Sequence, residues 1–177
     1  MPEEAKLIGL NGGLVPEGDG WFVVNAADAP WRSSELFGAS CYFEGESEFP
    51  EVGFRVKVLW PGQPNGMYHS ETAQEDFLVV AGECLLLIDG EERPLKAWDF
   101  VHCPGGTEHI FVGAGSGPCV IVMVGARDER HTIRYPVSEF ARKHGVSVEE
   151  ETGDPDEAYA RFPASEWGPV PEGALPA

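Results

Sequence analysis

The sequence predicts an all-β fold, either a sandwich or a closed antiparallel barrel, on three observations. Short runs alternate apolar and polar residues at period two, the signature of half-buried strands. Turn signals separate these runs at short intervals. Glycine (22) and proline (15) are high for a helical protein of 177 residues. That length suits one domain with a packed core.

Three regions follow in order. Residues 1–50 are expected to form an N-terminal extension packing on the barrel. Asn11-Gly12-Gly13 and Glu17-Gly18-Asp19-Gly20 are turn signals there, and residues 21–24 are a short strand candidate. Residues 28–49 are irregular and aromatic, which reads as a cover. Residues 51–126 are the barrel core. Phe54, Val56, Val58 and Trp60 alternate with Arg55, Lys57 and Leu59, so the apolar set is expected inside and the two cations in solvent. Pro61-Gly62 ends that strand. Strands are expected at 77–81, 83–88, 95–103, 109–112 and 119–124, with a hairpin turn at Asp89-Gly90. Residues 127–177 hold a short helix at 137–144, closed by Gly145, and a further turn or two at 156–161. The Pro- and Gly-rich acidic end, 167–177, reads as a loosely ordered tail.

Residues 120–124 are apolar on both faces, and so is the strand at 77–81. Such strands cannot leave one face in water. The N-terminal segment, the C-terminal helix or a second subunit must cover them, which is the ground for expecting a homodimer.

Charge and composition narrow the function. Twelve basic against 30 acidic residues give a formal net charge of −18, which repels nucleic acid and anionic membranes. No apolar run reaches membrane-spanning length and no leader pattern opens the chain, so a cytoplasmic location is expected. Cys41, Cys84, Cys103 and Cys119 form no C-x-x-C pair, and three sit in apolar runs, where cysteine is a small hydrophobe.

The chemistry-bearing stretch is 66–82. His69, Glu71 and Glu75 share sequence parity and point to one face if the backbone is extended. Pro104-Gly105-Gly106 then makes a tight turn, and His109 opens a new strand. Two histidines with one or two carboxylates form a mixed nitrogen and oxygen donor set. Imidazole suits Zn, Fe, Ni, Cu and Mn, and a two-His-one-carboxylate set with open positions is the usual non-haem Fe(II) arrangement. His102 reads as core or as a support behind the ligands, and His131 and His144 as surface residues.

These two stretches resemble the paired motifs of the cupin superfamily. The first motif runs Gly, His-x-His, three or four residues, Glu, six residues, Gly. Here His69-x-Glu71, three residues, Glu75, six residues and Gly82 match that spacing. The second runs Gly, five residues, Pro-x-Gly, two residues, His, three residues, Asn. Pro104-x-Gly106, two residues and His109 match it. The departures are Glu71 in place of the second histidine, Trp98 in place of the first glycine of the second motif, and Gly113 in place of the asparagine. The resemblance covers roughly residues 52–125. It implies a double-stranded β-helix, or jelly-roll barrel, with His69, Glu75 and His109 as ligands of one divalent transition metal (Fe, Mn, Zn or Ni). Three roles are open to Glu71: metal ligand, catalytic base, or a carboxylate turned away. The implied function is a small-molecule metalloenzyme with dioxygenase-like chemistry. The alternative is a non-catalytic cupin that binds a metal or small ligand as a sensor or carrier.

Overall fold

The computed structural model describes residues 1, 3–46 and 48–175. The chain folds as β1 (Lys6–Leu10), β2 (Gly13–Glu17), β3 (Trp31–Ser34), β4 (Gly38–Tyr42), β5 (Val52–Leu59), β6 (Ser70–Glu71), β7 (Glu75–Ala81) and β8 (Glu83–Ile88). It continues through β9 (Glu91–Lys96), β10 (Phe100–Cys103), β11 (His109–Ala114), β12 (Cys119–Ala126), β13 (Ile133–Arg134), α1 (Glu139–Arg142), α2 (Pro155–Tyr159) and β14 (Glu166–Gly168).

Two antiparallel sheets face each other. The larger has the order β10-β7-β12-β5-β4-β3-β14 and the smaller β11-β8-β9. The smaller is extended past β11 by residues 64–69, bridged at Pro64–Val112 and His69–His109, and β6 then pairs with β13. Between the sheets lies an apolar core. Leu59, Phe77, Val79 and Ile121 come from the larger sheet, Leu86 and Phe111 from the smaller.

A second core lies on the outer side of the larger sheet. Val58 and Val120 pack there against Ala29, Trp31, Ala39, Cys41 and Ala174. Trp31 is fully buried, and its indole N–H donates to the carbonyl of Ala26 at 2.8 Å. Arg127, just past β12, forks onto Glu44 of the N-terminal extension at 2.6 and 3.0 Å. The chain's own two ends therefore cover the Val58, Val80 and Val120 part of this face, while in the next row Leu78 and Val122 are half-buried and Phe100 is exposed.

Several boundaries differ from expectation. The run at 95–103 breaks at Trp98, which takes a positive φ of 77° between β9 and β10. Of residues 21–24, only Trp21 joins a bridge, to Glu4. The terminal stretch read as a loose tail instead adds β14 to the larger sheet and buries Ala174, while residues 176–177 lie outside the described residues. Helix α1 begins at its Ser138 cap, and α2 at Asp154 with Pro155 in the first turn.

Candidate metal centre and its pocket

His69 and His109 face each other across a hydrogen-bonded antiparallel pair: His109 N donates to His69 O at 2.8 Å, and His69 N to His109 O at 3.3 Å. Residues directly opposite in such a pair project to the same face. The two imidazole rings accordingly lie 5.0 Å apart, centre to centre. Glu75 arrives from the opposite sheet, as the first residue of β7, held between Cys103 and Gly125. One ligand atom each from His69, Glu75 and His109 fall within 4.8 Å of one another.

Both rings are oriented from behind. His69 Nδ1 is 2.7 Å from the carbonyl oxygen of Met67, and His109 Nδ1 is 3.0 Å from that of Thr107. A carbonyl only accepts, so Nδ1 carries the proton and donates. Each Nε2 is left with a bare lone pair turned toward the pocket, the usual support behind a metal-bound imidazole. Burial holds His69 down at about 4, with His109 adding to the effect, and burial also lowers His109. Both rings are thus neutral, as ligands must be.

Glu75 Oε2 lies 3.3 Å from His109 Nε2. A lone pair and a carboxylate at that distance need a shared proton or a cation between them. Burial, then the neighbouring Glu71, push Glu75 up to about 8, opposed by Arg55. A cation would offset both penalties. Bonds of about 2.1 Å to one ion separate adjacent ligand atoms by about 3.0–3.4 Å; Glu75 and His109 stand at that spacing, and two neutral imidazoles with one carboxylate are donors that suit a divalent transition metal.

Glu71 lines the same pocket but stands outside this three-donor cluster. Its Oε1 is 3.8 Å from His69 Nε2 and its Oε2 is 2.8 Å from His131 Nε2. His131, read from sequence as a surface residue, is exposed, and it is the partner of Glu71. His102, read as core or support, instead sits on the solvent side of β10, bound to Asp76 at 2.7 Å. His144 pairs with Glu92 on the surface.

The pocket has a volume of about 700 Å³, within the range of small-molecule sites. Phe77 packs against His109 and Tyr135 against His69, at 5.2 and 5.8 Å between ring centres. The wall opposite the histidines carries Arg32, Ser40, Arg55 and Lys57. This corrects the expectation that Lys57 faces solvent, whereas Arg55, on the same face, is exposed as expected. Lys57 is buried, and its ammonium bonds Ser40 Oγ at 3.1 Å. The parity of β5 was legible, but its polarity is reversed. Its apolar face meets the outer core formed by the chain ends, and its polar face looks into the barrel.

Gly113, where the family motif has asparagine, is set by close packing. A Cβ there would stand 2.3 Å from the carbonyl oxygen of Trp60. Two backbone bonds between residues 62–63 and Gly113 hold that approach, so no side chain fits.

Residues 55–125 match the family model described as a cupin domain. The architecture is that of the double-stranded β-helix, and the matched stretch is a cupin domain. Among solved structures it is similar to a predicted oxalate decarboxylase from Thermotoga maritima. The identity is 21%, covering 59% of this chain and 97% of that one, with a TM-score of 0.52. It is also similar to the polyketide cyclase RemF from Streptomyces resistomycificus, at 14% identity, covering 60% of this chain and 79% of that one, also with a TM-score of 0.52. At these identities the likeness concerns the fold. No curated protein matches the chain.

Proposed function

We propose that the protein is a metal-dependent enzyme acting on a small organic molecule, with oxygenase chemistry at a divalent metal held by His69, Glu75 and His109. The observation that carries this reading is the pair of imidazoles whose Nδ1 atoms are fixed on backbone carbonyls, leaving both Nε2 lone pairs aimed at Glu75 and the open pocket. Three protein ligands on one side leave positions for substrate oxygen atoms and O₂. The bound metal supplies Lewis acidity and, if it is iron, a site for O₂.

The chain's own residues do the rest. Phe77 and Tyr135 wall the histidines and limit water around them. Glu71, bonded to His131 at 2.8 Å, is placed at the pocket to take a proton from a substrate hydroxyl or acidic C–H and pass it toward the mouth.

The test is oxygen consumption by protein loaded anaerobically with Fe(II), Mn(II), Zn(II) or Ni(II), over a panel of catechols, diketones and thiols. Turnover with one metal, abolished by His109→Ala, is the expected result. Tight small-ligand binding with no turnover under any metal would replace this reading with that of a non-catalytic binding protein.

A further inference from the structure

The larger sheet carries a cationic stripe on the face that looks into the pocket. Strand register sets Arg32 of β3 opposite Ser40 of β4, and Ser40 opposite Lys57 of β5. Direct cross-strand neighbours share a face, so the three side chains stand in one row about 10 Å long at about 4.8 Å per strand. The adjacent row on the same face sets Tyr42 opposite Arg55. All four of Arg32, Ser40, Arg55 and Lys57 line the pocket that holds the histidines and Glu75.

The two arginines here lack the carboxylate partners that the other arginines have, and Lys57 is distinguished by its burial. The protein is strongly acidic, at −18. Arg93, Arg127, Arg130, Arg134, Arg142 and Arg161 all pair with carboxylates. Among the described residues, Arg32 and Arg55 are the two arginines in no ion pair, and Lys57, in none like the other lysines, is the one that is buried. The guanidinium of Arg32 lies 5.8 Å from the ring centre of Trp167, and that of Arg55 lies 4.9 Å from that of Tyr42. Aromatic faces of this kind hold a guanidinium in place without neutralising it. Lys57 is 8% exposed and has one hydrogen bond, to a hydroxyl. An ammonium has three donors, so two are left for something entering the pocket. A buried lysine with no carboxylate is costly to fold, and a ligand anion would offset that cost.

We propose that Lys57, Arg55 and Arg32 form an oxyanion subsite, so that the small molecule bound in this pocket carries a carboxylate or phosphate group. This rests on the reading of the pocket as the small-molecule site and adds the ligand's chemical class. His69 and His109 stand on the opposite wall, while Glu75 of β7 shares the larger sheet with the stripe, so the ligand spans the pocket, with its acid group on the basic stripe and its neutral oxygen functions toward the histidines.

The test is calorimetric titration of succinate and of inorganic phosphate, with uncharged succinamide as control, into wild type, Lys57→Met and Arg55→Met. Each protein is measured metal-loaded and after chelation. Wild type is expected to bind at least one of the two anions and not succinamide. Lys57→Met should weaken that binding about tenfold or more, and Arg55→Met should weaken it several-fold. The anion that binds distinguishes a carboxylate from a phosphate ligand. Absence of anion binding, equal binding of succinamide, or affinities in both variants within twofold of wild type would overturn the inference. Arg55 is exposed at the mouth, so Arg55→Met decides the matter if Lys57→Met does not fold. The two readings fail separately. Without a metal site, cation titrations are silent while the chelated protein still binds anions through Lys57. Without an oxyanion subsite, cations bind and anions do not.

Discussion

Glu71 and His131 meet at 2.8 Å, and this pairing turns one carboxylate oxygen of Glu71 away from the histidines, leaving the other 3.8 Å from His69. The two glutamates of the first motif therefore differ in kind. Glu75→Gln is expected to weaken divalent-metal affinity by more than about 100-fold, and Glu71→Gln by about tenfold or less. Competition against a chromogenic chelator measures both. The reverse ranking would make Glu71 the ligand.

Metal uptake should release protons in a pH-dependent way. In the metal-free protein Glu75, raised to about 8 by burial and then by Glu71, is protonated at neutral pH, whereas His69, lowered to about 4, is already neutral. An entering cation displaces the glutamate proton. About one proton per ion should leave at pH 7, falling toward zero above about pH 9. Calorimetry in two buffers of different ionisation enthalpy counts them, and no release at pH 7 would show Glu75 to be ionised beforehand.

Lys57 should make stability depend on pH. Burial, then the charge of Arg55, lower it from 10.5 to about 7. Between those values the unfolded chain holds a proton that the folded protein lacks, so this group's contribution to stability rises with pH and is least favourable below 7. Lys57→Met removes that cost. The variant should exceed wild type by on the order of 2–4 kcal/mol at pH 6, with the gap narrowing toward pH 10. Urea unfolding at pH 6, 8 and 10 checks this, and a gap that widens with pH would refute it.

Trp98 occupies a glycine position without being glycine. It holds φ at +77° in the turn between β9 and β10 and is 76% exposed, so its ring gains little from burial. Left-handed backbone costs a non-glycine residue about 1–2 kcal/mol. Trp98→Gly is expected to stabilise the fold by about 1 kcal/mol and to leave metal affinity unchanged. Thermal unfolding with and without metal reads both effects.

The strands and the three-donor cluster were legible because they depend on local rules. Period-two alternation, the Asp89-Gly90 turn with both residues at positive φ, and the spacing of His69, Glu75 and His109 around tight turns are all properties of short segments. What escaped depends on layers distant in sequence. The direction in which β5 points its cations follows from which face the chain ends cover, and nothing within residues 52–59 records that. His131 shows the same limit, since its role comes from the pairing of β13 with β6, about sixty residues apart. The ordered end at Glu166–Gly168 was obscured by its Pro and Gly content, which predicts a free tail until a waiting sheet edge at β3 is seen.

The apolar packing outside the larger sheet bears on how the molecule can be cut. The stretch that matches its relatives, 55–125, ends before Arg127 and begins after Trp31. Excised alone, it would present Val58 and Val120 to water without their lids. It is therefore not a transplantable module. Proteolysis or truncation at either terminus should yield a sticky sheet, not a smaller soluble barrel.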